Sequence, residues 1–408
     1  MNTRPIRLAA AALAALAALA PAVLAAAGTA AAAVVDNPLD PPQGRRTLVL
    51  RELWRAGGES DDVFFGNVGG VLAGPDGEVL VLDSQLAQVQ VYDAQGRWLR
   101  SLSREGEGPG EARNPAACFF LPDGRLCLAQ SFPGRLVYLQ PDGTPAGQAQ
   151  YQPLGTPASF SVMVAGRSAP GGMVLAGIRM NQGATPQMQQ TFFLSLCDMD
   201  AREKQVYLEK PYTVNFAEFR LDEGAMDFVW MGRLDVDAQG RVATAPERNR
   251  YLVRVQDSDG TVLREFTRPV TLPKRTAAER TIATKVLEAI AANYGGIPLQ
   301  GLTIEETEAA INGLVLRPDG EVWVMTPYNK TEPGVFAVLD AFDAAGRFTH
   351  QVALQMPGNA QRDGLNFLSD GRVVVVAGGL DAWLSQQGVQ AADQEAVALE
   401  IICYEAAR

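Results

Sequence analysis

The stretch Ala117-Cys-Phe-Phe-Leu-Pro122-Asp123-Gly124-Arg-Leu-Cys-Leu128 decides the fold. An apolar segment runs into Pro-Asp-Gly, and a second apolar segment leaves it. Proline presets φ at one corner of a tight turn and glycine supplies the corner with φ > 0, so the two segments fold back as a hairpin. A third apolar segment, Leu136-Val-Tyr-Leu, ends in another turn, Pro141-Asp142-Gly143. The same unit stands earlier as Gly70-Val-Leu-Ala-Gly-Pro75-Asp76-Gly77-Glu-Val-Leu-Val-Leu-Asp83, then Val89-Gln-Val-Tyr-Asp93-Ala-Gln-Gly96. Gly77 and Gly124 lie 47 residues apart, as do Gly96 and Gly143. A repeat of that length made of four short strands is the signature of a propeller blade.

Six inner hairpins can be placed. Their turns are Pro75-Asp76-Gly77, Pro122-Asp123-Gly124, Pro170-Gly171-Gly172, Asp237-Ala-Gln-Gly240, Pro318-Asp319-Gly320 and Ser369-Asp370-Gly371. Outer turns follow at Gly96, Gly143, Gly260 and Gly346, with a less regular one at residues 198–202. The last copy stops one strand short, and residues 47–54 form an unassigned strand ahead of the first copy. That strand is expected to complete the sixth blade and close the ring, leaving no open edge at the junction. The sequence therefore predicts an all-β, six-bladed propeller over 46–404. A small helical insertion at 270–310 falls between blades four and five, and 34–45 form a linker.

The stretch Val91-Tyr-Asp-Ala-Gln-Gly96-Arg-Trp-Leu-Arg, followed by Gly106-Glu-Gly108-Pro109-Gly110-Glu111, resembles bacterial six-bladed propellers of the NHL-repeat/TolB-like type. Residues 311–324 resemble a later blade of that group. The resemblance implies the architecture and no particular activity.

Residues 1–33 read as an export signal. Arg4 and Arg7 precede an Ala/Leu run, and small residues at Ala25-Ala26-Ala27 or Ala31-Ala32-Ala33 supply a cleavage site. The expected location is periplasmic or extracellular, and the expected state is a monomer with no membrane span after cleavage. The net charge is −11 with no basic stripe, which argues against nucleic acid and anionic lipid as partners. Cys118, Cys127, Cys197 and Cys403 all sit in apolar strands. Cys118 should pair with Leu128 across the Pro122-Asp123-Gly124 turn, which points Cys118 and Cys127 to opposite faces; free buried thiols are the expectation.

In an up-and-down blade, the first and third turns share one face of the ring and the remaining connections share the other. The first and third turns here are minimal. The long excursions, 103–114, 178–190, 210–228, 270–310, 326–334 and 378–395, all fall on the second face, where binding loops on a rigid scaffold belong. In the fourth of these, Thr276-Ala-Ala-Glu279 is a capping box for a helix with an Ile282, Val286, Ile290 stripe and Gly295 at its end. Thr303-Ile-Glu-Glu306 predicts a second, short helix.

The single histidine, His350, lies in an outer strand, where it serves packing or the surface. No catalytic residues, zinc site, phosphate loop or nucleophile elbow follow from the sequence. The Gly106–Glu111 loop carries three glutamates and reads as a rigid connector rather than an anion cradle. No cofactor is expected. Calcium is the alternative, held by Asp83, Glu111, Asn114, Asn181 and Glu218 around the central channel of a hydrolase or lactonase. Phe216, Phe219, Trp230, Tyr294, Tyr328 and Trp383 cluster in the long loops. The expected function is an exported, non-catalytic scaffold that binds a protein, peptide or glycan. Its contacts would come from Arg104, Glu111, Asn114, Arg179, Asn181, Phe219, Arg220, Tyr294, Tyr328, Asn329 and Trp383.

Overall fold

The Pro122-Asp123-Gly124 turn closes as the sequence predicts. Leu121 N–H donates to Arg125 O at 2.7 Å, Gly124 N–H donates to Leu121 O at 2.9 Å, and Gly124 has φ of 87°. Cys118 is registered with Leu128 and Phe119 with Cys127. The computed structural model describes residues 33–58, 63–155, 158–182, 186–230, 232–329, 331–389 and 398–407. The expected export signal, up to residue 32, lies outside them.

Consecutive hairpins stack into sheets whose spatial order follows the chain. The first sheet holds Val68–Ala73, Val79–Asp83, Gln88–Tyr92 and Trp98–Leu102. The second holds Pro115–Phe120, Leu126–Gln130, Arg135–Leu139 and Pro145–Gln150. The third is longer: Phe160–Ala169, Gly172–Gln182, Gln187–Asp198 and Glu203–Asn215. The fourth holds Leu234–Val236, Val242–Thr244, Leu252–Gln256 and Val262–Thr267, with Val34–Asp36 added in parallel at its outer edge. An eight-stranded sheet contains the rest, apart from a two-stranded pairing of Arg220–Asp222 with Gly301–Thr303. Gly313–Leu316, Val322–Met325, Val335–Phe342 and Phe348–Gln355 make one half, and Gly364–Phe367, Val373–Ala377 and Glu400–Ala406 belong to the other.

Strand Arg45–Gly57 joins the two halves. Residues 45–49 run parallel to Phe348–Gln355, and residues 50–57 run antiparallel to Glu400–Ala406. The strand expected at 47–54 is therefore longer and does two jobs. Residues 34–45 are not a free linker: Asn37 is buried, its amide donates to Thr267 O (3.1 Å) and Gly346 O (3.0 Å), and its Oδ1 accepts from Phe348 N–H at 2.7 Å.

The strands alternate because both faces of every sheet are covered. Leu82, Val91, Leu102, Leu128 and Leu139 form a core between the first and second sheets. Phe119, Cys127, Met173 and Phe193 fill the next gap, and Val174, Phe192, Leu234 and Val242 the one after. Tyr251, Phe266, Leu314 and Phe342 join the fourth sheet to the eight-stranded one. Leu339, Leu354, Val375 and Tyr404 pack between that sheet's halves, and Trp54, Val374 and Ile401 pack on Val79, Val81 and Tyr92 of the first sheet. Cys118 and Cys127 belong to different cores, as their register requires. The innermost strands from Val68–Ala73 to Gly313–Leu316 pack in succession, and the arrangement is propeller-like.

The helix at Ala277–Ala292 is present with its capping box: Glu279 N–H donates to Thr276 Oγ1, and Thr276 N–H to the Glu279 carboxylate. Its buried side chains are Leu287, Ala289 and Ala291, whereas Ile282, Val286 and Ile290 are half-buried. The second predicted helix does not form. Gly301–Thr303 is a short strand paired in parallel with Arg220–Asp222, which commits its backbone before the capping box can act. A helix at Gly379–Gln386 occupies the 378–395 excursion instead. No described helix is long and apolar enough to cross a membrane.

Candidate functional site

The two faces differ as strand alternation dictates. On one, Asp-x-x-Gly turns repeat the same bonds. Asp93 Oδ1 accepts from Gln95 and Arg97 N–H, and Asp343 Oδ1 does the same for Ala345 and Arg347, each at 2.9 Å. Such turns leave little chain free. The opposite face carries the long connections, with the helices Ala277–Ala292 and Gly379–Gln386 among them. The 178–190 excursion is a correction: most of it is hairpin, with strands to residue 182 and from residue 187.

The helix Ala277–Ala292 lies over this face with a core of its own. Ala291, Val214, Phe219 and Leu221 are buried together, separate from the inter-sheet cores. Tyr294 packs on Phe219 at 5.2 Å between ring centroids and shares a hydrogen bond with Gln190 of the third sheet. Glu279 accepts from Gln361, and Asn293 donates to Gln387, which follows the Gly379–Gln386 helix. The cover is thus tied to several sheets through neutral amides.

Its entry is tied by charge. Glu223 accepts both terminal nitrogens of Arg275 (2.7 Å each), Arg248 Nη2 (2.9 Å) and Glu305 N–H (2.9 Å). Arg275 also donates to Glu308. Burial alone would raise the Glu223 pKa; the Arg275 bonds, the Glu305 amide and Arg248 outweigh it and hold the carboxyl below its ordinary value.

The predicted contact residues do not converge. Arg104 and Glu111 pair with each other at 2.6 Å, and Glu111 also accepts Gly108 N–H, so the Gly-rich loop is closed on its own carboxylate. Asn114 is exposed with φ of 44°, while Asn181 Oδ1 caps Ser159 N–H. Arg179 is a correction. It lies over Phe193, donates to Tyr151 and to the buried Glu203, and pairs with Glu209, so it locks the second sheet to the third. Phe219 is fully buried, because the helix covers it. Arg220 remains exposed beside Gly301, and Trp383 is half-buried. Tyr328 and Asn329 point inward: Tyr328 donates to Ala310 O, and Asn329 donates to the buried Asp340, which also accepts Tyr251, Gln351 and Arg268.

Of the proposed calcium donors, Asp83, Glu111 and Asn181 are engaged elsewhere, and Asn114 and Glu218 are exposed. Asp83 is buried and accepts from the amides of Gly66, Asn67, Gln85 and Leu86. Among the described residues no group of three or more His, Cys, Asp or Glu side chains is placed to hold a metal ion. His350 is buried rather than a surface residue, bonded to Thr349, and burial lowers its pKa. It has no carboxylate bond with which to form a catalytic pair.

The loop face exposes a different set. Phe64, Leu86, Phe132 and Leu154 are 71%, 43%, 57% and 59% exposed, and Phe132 packs edge-on against Phe160. They come from connections entering, within and leaving the first and second sheets. Leu86 and Phe132 sit on short connections, 84–87 and 131–134, that do not stand out by length. Phe64 and Leu154 lie in longer connections, between Gly57 and Val68 and between Gln150 and Phe160, that sequence reasoning did not count among the excursions. The available signal was a large apolar residue at a connection tip, as in Ser131-Phe132-Pro133-Gly134, where a solvated loop favours polar residues.

No family model matches the chain, and no curated protein matches it. Solved structures similar to it include a member of the DUF4221 family from Bacteroides vulgatus. That likeness has 9% identity and a TM-score of 0.46, and covers 87% of this chain and 97% of that one. The calcium-binding protein regucalcin from Agrobacterium tumefaciens is similar at 12% identity and a TM-score of 0.42, over 88% and 97%. A gluconolactonase from Xanthomonas campestris is similar at 10% and 0.41, over 87% and 98%. Likeness at this level lends the chain no activity.

Proposed function

We propose that this chain is an exported, non-catalytic, six-bladed β-propeller that binds a protein partner on its loop face. One observation carries the binding reading: four large apolar side chains, Phe64, Leu86, Phe132 and Leu154, stand in solvent on the face opposite the tight turns. Exposed large apolar side chains, one of them in an aromatic pair with Phe160, are the residue type that protein and peptide interfaces bury. The blade count is supported by six inter-sheet cores that follow one another round to the first sheet. On this reading the eight-stranded sheet is blades five and six, bridged by Arg45–Gly57. Export is supported by Arg4, Arg7 and the Ala/Leu run.

The test is capture from a periplasmic extract by wild type and by a Phe64→Ser/Phe132→Ser double variant, both checked for equal thermal unfolding. Partners retained by the wild type should be lost from the variant. Identical capture by both would overturn the loop-face assignment. A calcium titration that raises the unfolding temperature would favour the hydrolase reading instead.

A further inference from the structure

A cleft of ≈ 550 Å³ opens between the third and fourth sheets, away from the exposed apolar set. Its floor is apolar, with Leu208, Phe228 and Pro246, and its rim is charged. The rim charges are not equivalent. Glu209 is taken by Arg179, Glu247 by Arg250, Asp227 by Arg233, and Arg248 by Glu223. Lys210 is the remaining cation. Its Nζ donates to Gly224 O at 3.1 Å and Asp227 O at 2.8 Å, and among the described residues it has no carboxylate within ion-pair distance. Two carbonyls orient an ammonium without neutralising it, and a lysine has a third N–H to give. Burial accordingly lowers its pKa, against the more distant pull of Asp227.

We propose that this cleft binds a small hydroxylated monocarboxylate, with Lys210 as its counter-charge. The carboxylate would meet the free N–H of Lys210. The carbon skeleton would rest on Phe228 and Pro246. Hydroxyls would donate to Glu247 Oε2, since the Arg250 pair uses Oε1, and to the second lone pair of Asn249 Oδ1, whose first is held by Arg248 Nη1 at 3.1 Å. A dianion such as phosphate fits less well, because Glu209 and Glu247 border the cleft and the arginines of its lining, Arg248 and Arg250, are already paired with Glu223 and Glu247. The site is independent of the loop-face binding proposed above.

The experiment is equilibrium dialysis of the full chain with labelled galacturonate, set against neutral galactose and inorganic phosphate. Saturable one-site binding of galacturonate is expected, with Lys210→Met weakening it about 10-fold or more and Lys210→Arg largely restoring it. Lys204→Met, on an exposed lysine paired with Asp198, should change nothing. Absence of saturable binding, a preference for phosphate, or equal affinity in Lys210→Met would each overturn the proposal. Should Lys210→Met fail to fold, acetylation of wild-type Lys210 read by peptide mass spectrometry decides the matter. Protection by galacturonate supports the site, and equal modification with and without it removes the site.

Discussion

Gly96 rests against Trp54 so closely that a Cβ on the glycine would come 2.5 Å from Trp54 Cγ. The same relation recurs along the chain. Gly143 faces Leu102 and Gly346 faces Phe266, each the outer-turn glycine of one sheet lying on the last strand of the sheet before it. Trp54 fills that place for the first sheet although it precedes that sheet in sequence. Residues 50–57 therefore act as the last strand of the final hairpin set.

Gly96→Ala should be costly for two reasons, and a control separates them. The residue has φ of 80°, which costs a non-glycine about 1–2 kcal/mol. The clash with Trp54 adds about 1–3 kcal/mol. Gly124 has φ of 87° with nothing within 4 Å of its would-be Cβ, so Gly124→Ala should show the first cost alone. Denaturant unfolding of both variants measures the difference. Equal losses would mean that Trp54 does not pack as described.

Glu223 makes a pH-dependent contribution. Its folded pKa lies below the unfolded carboxyl value of about 4.3, so its stabilisation is present above that pH. It is lost as pH falls through the lowered folded value. Glu223→Gln removes one of the two carboxylates that each of Arg275 and Arg248 meets, leaving Glu308 to the first and Asp227 at 3.9 Å to the second, at a cost of about 1–3 kcal/mol at neutral pH. The stability gap between wild type and variant should be widest near pH 7, should begin to narrow below the unfolded carboxyl value of about 4.3, and should close only once pH has fallen below the lowered folded value. A gap that stays constant across that range would show that the charge of Glu223 is not what holds the helical cover.

How far the sequence could be read depends on how local each cause was. The Pro122-Asp123-Gly124 hairpin was legible because its φ requirements lie within three residues. The Cys118–Leu128 register followed from that turn alone. Asn37 was not legible, since its partners Thr267, Gly346 and Phe348 lie more than two hundred residues away. Phe219 looked like a surface anchor because nothing near it in sequence announces the helix that buries it. Arg179 failed likewise: its partner Glu203 sits two strands on, and only the lengthened third sheet brings them together. The exposed Phe132 was missed for the converse reason, as its short connection between Gln130 and Arg135 gave no length signal.

The four cysteines should be inert in the native protein. All are buried and unbridged, and burial pushes Cys118 up to about 12 and Cys403 up to about 11, with Cys127 and Cys197 also raised. The thiolate is the reactive form, so a chromogenic disulfide reagent at pH 8 should titrate none of them. In guanidinium it should titrate four. Fast labelling of one thiol in the folded state would identify a local opening of its strand.

The N-terminal strap is held by one side chain more than by its strands. Val34–Asp36 adds only three residues to the fourth sheet, a pairing too short to be stable by itself. Asn37 supplies the rest by bridging three segments: Thr267 at the end of the fourth sheet, Gly346 in the next outer turn, and Phe348 beyond it. Asn37→Ala would strand the buried Phe348 N–H and Gly346 O, whereas Thr267 O keeps the backbone N–H of residue 37 (3.0 Å), at a cost of about 1–3 kcal/mol. Asn37→Asp keeps the acceptor but loses both donations, and should lose a similar amount. Hydrogen exchange gives the sharper test. In Asn37→Ala the amides of residues 34–37 should exchange much faster than in wild type. Those of residues 50–57, held by the antiparallel ladder to Glu400–Ala406, should stay protected. Loss of protection across 50–57 as well would show that the strap and the closing strand unfold as one unit, so that Asn37 governs the closure itself.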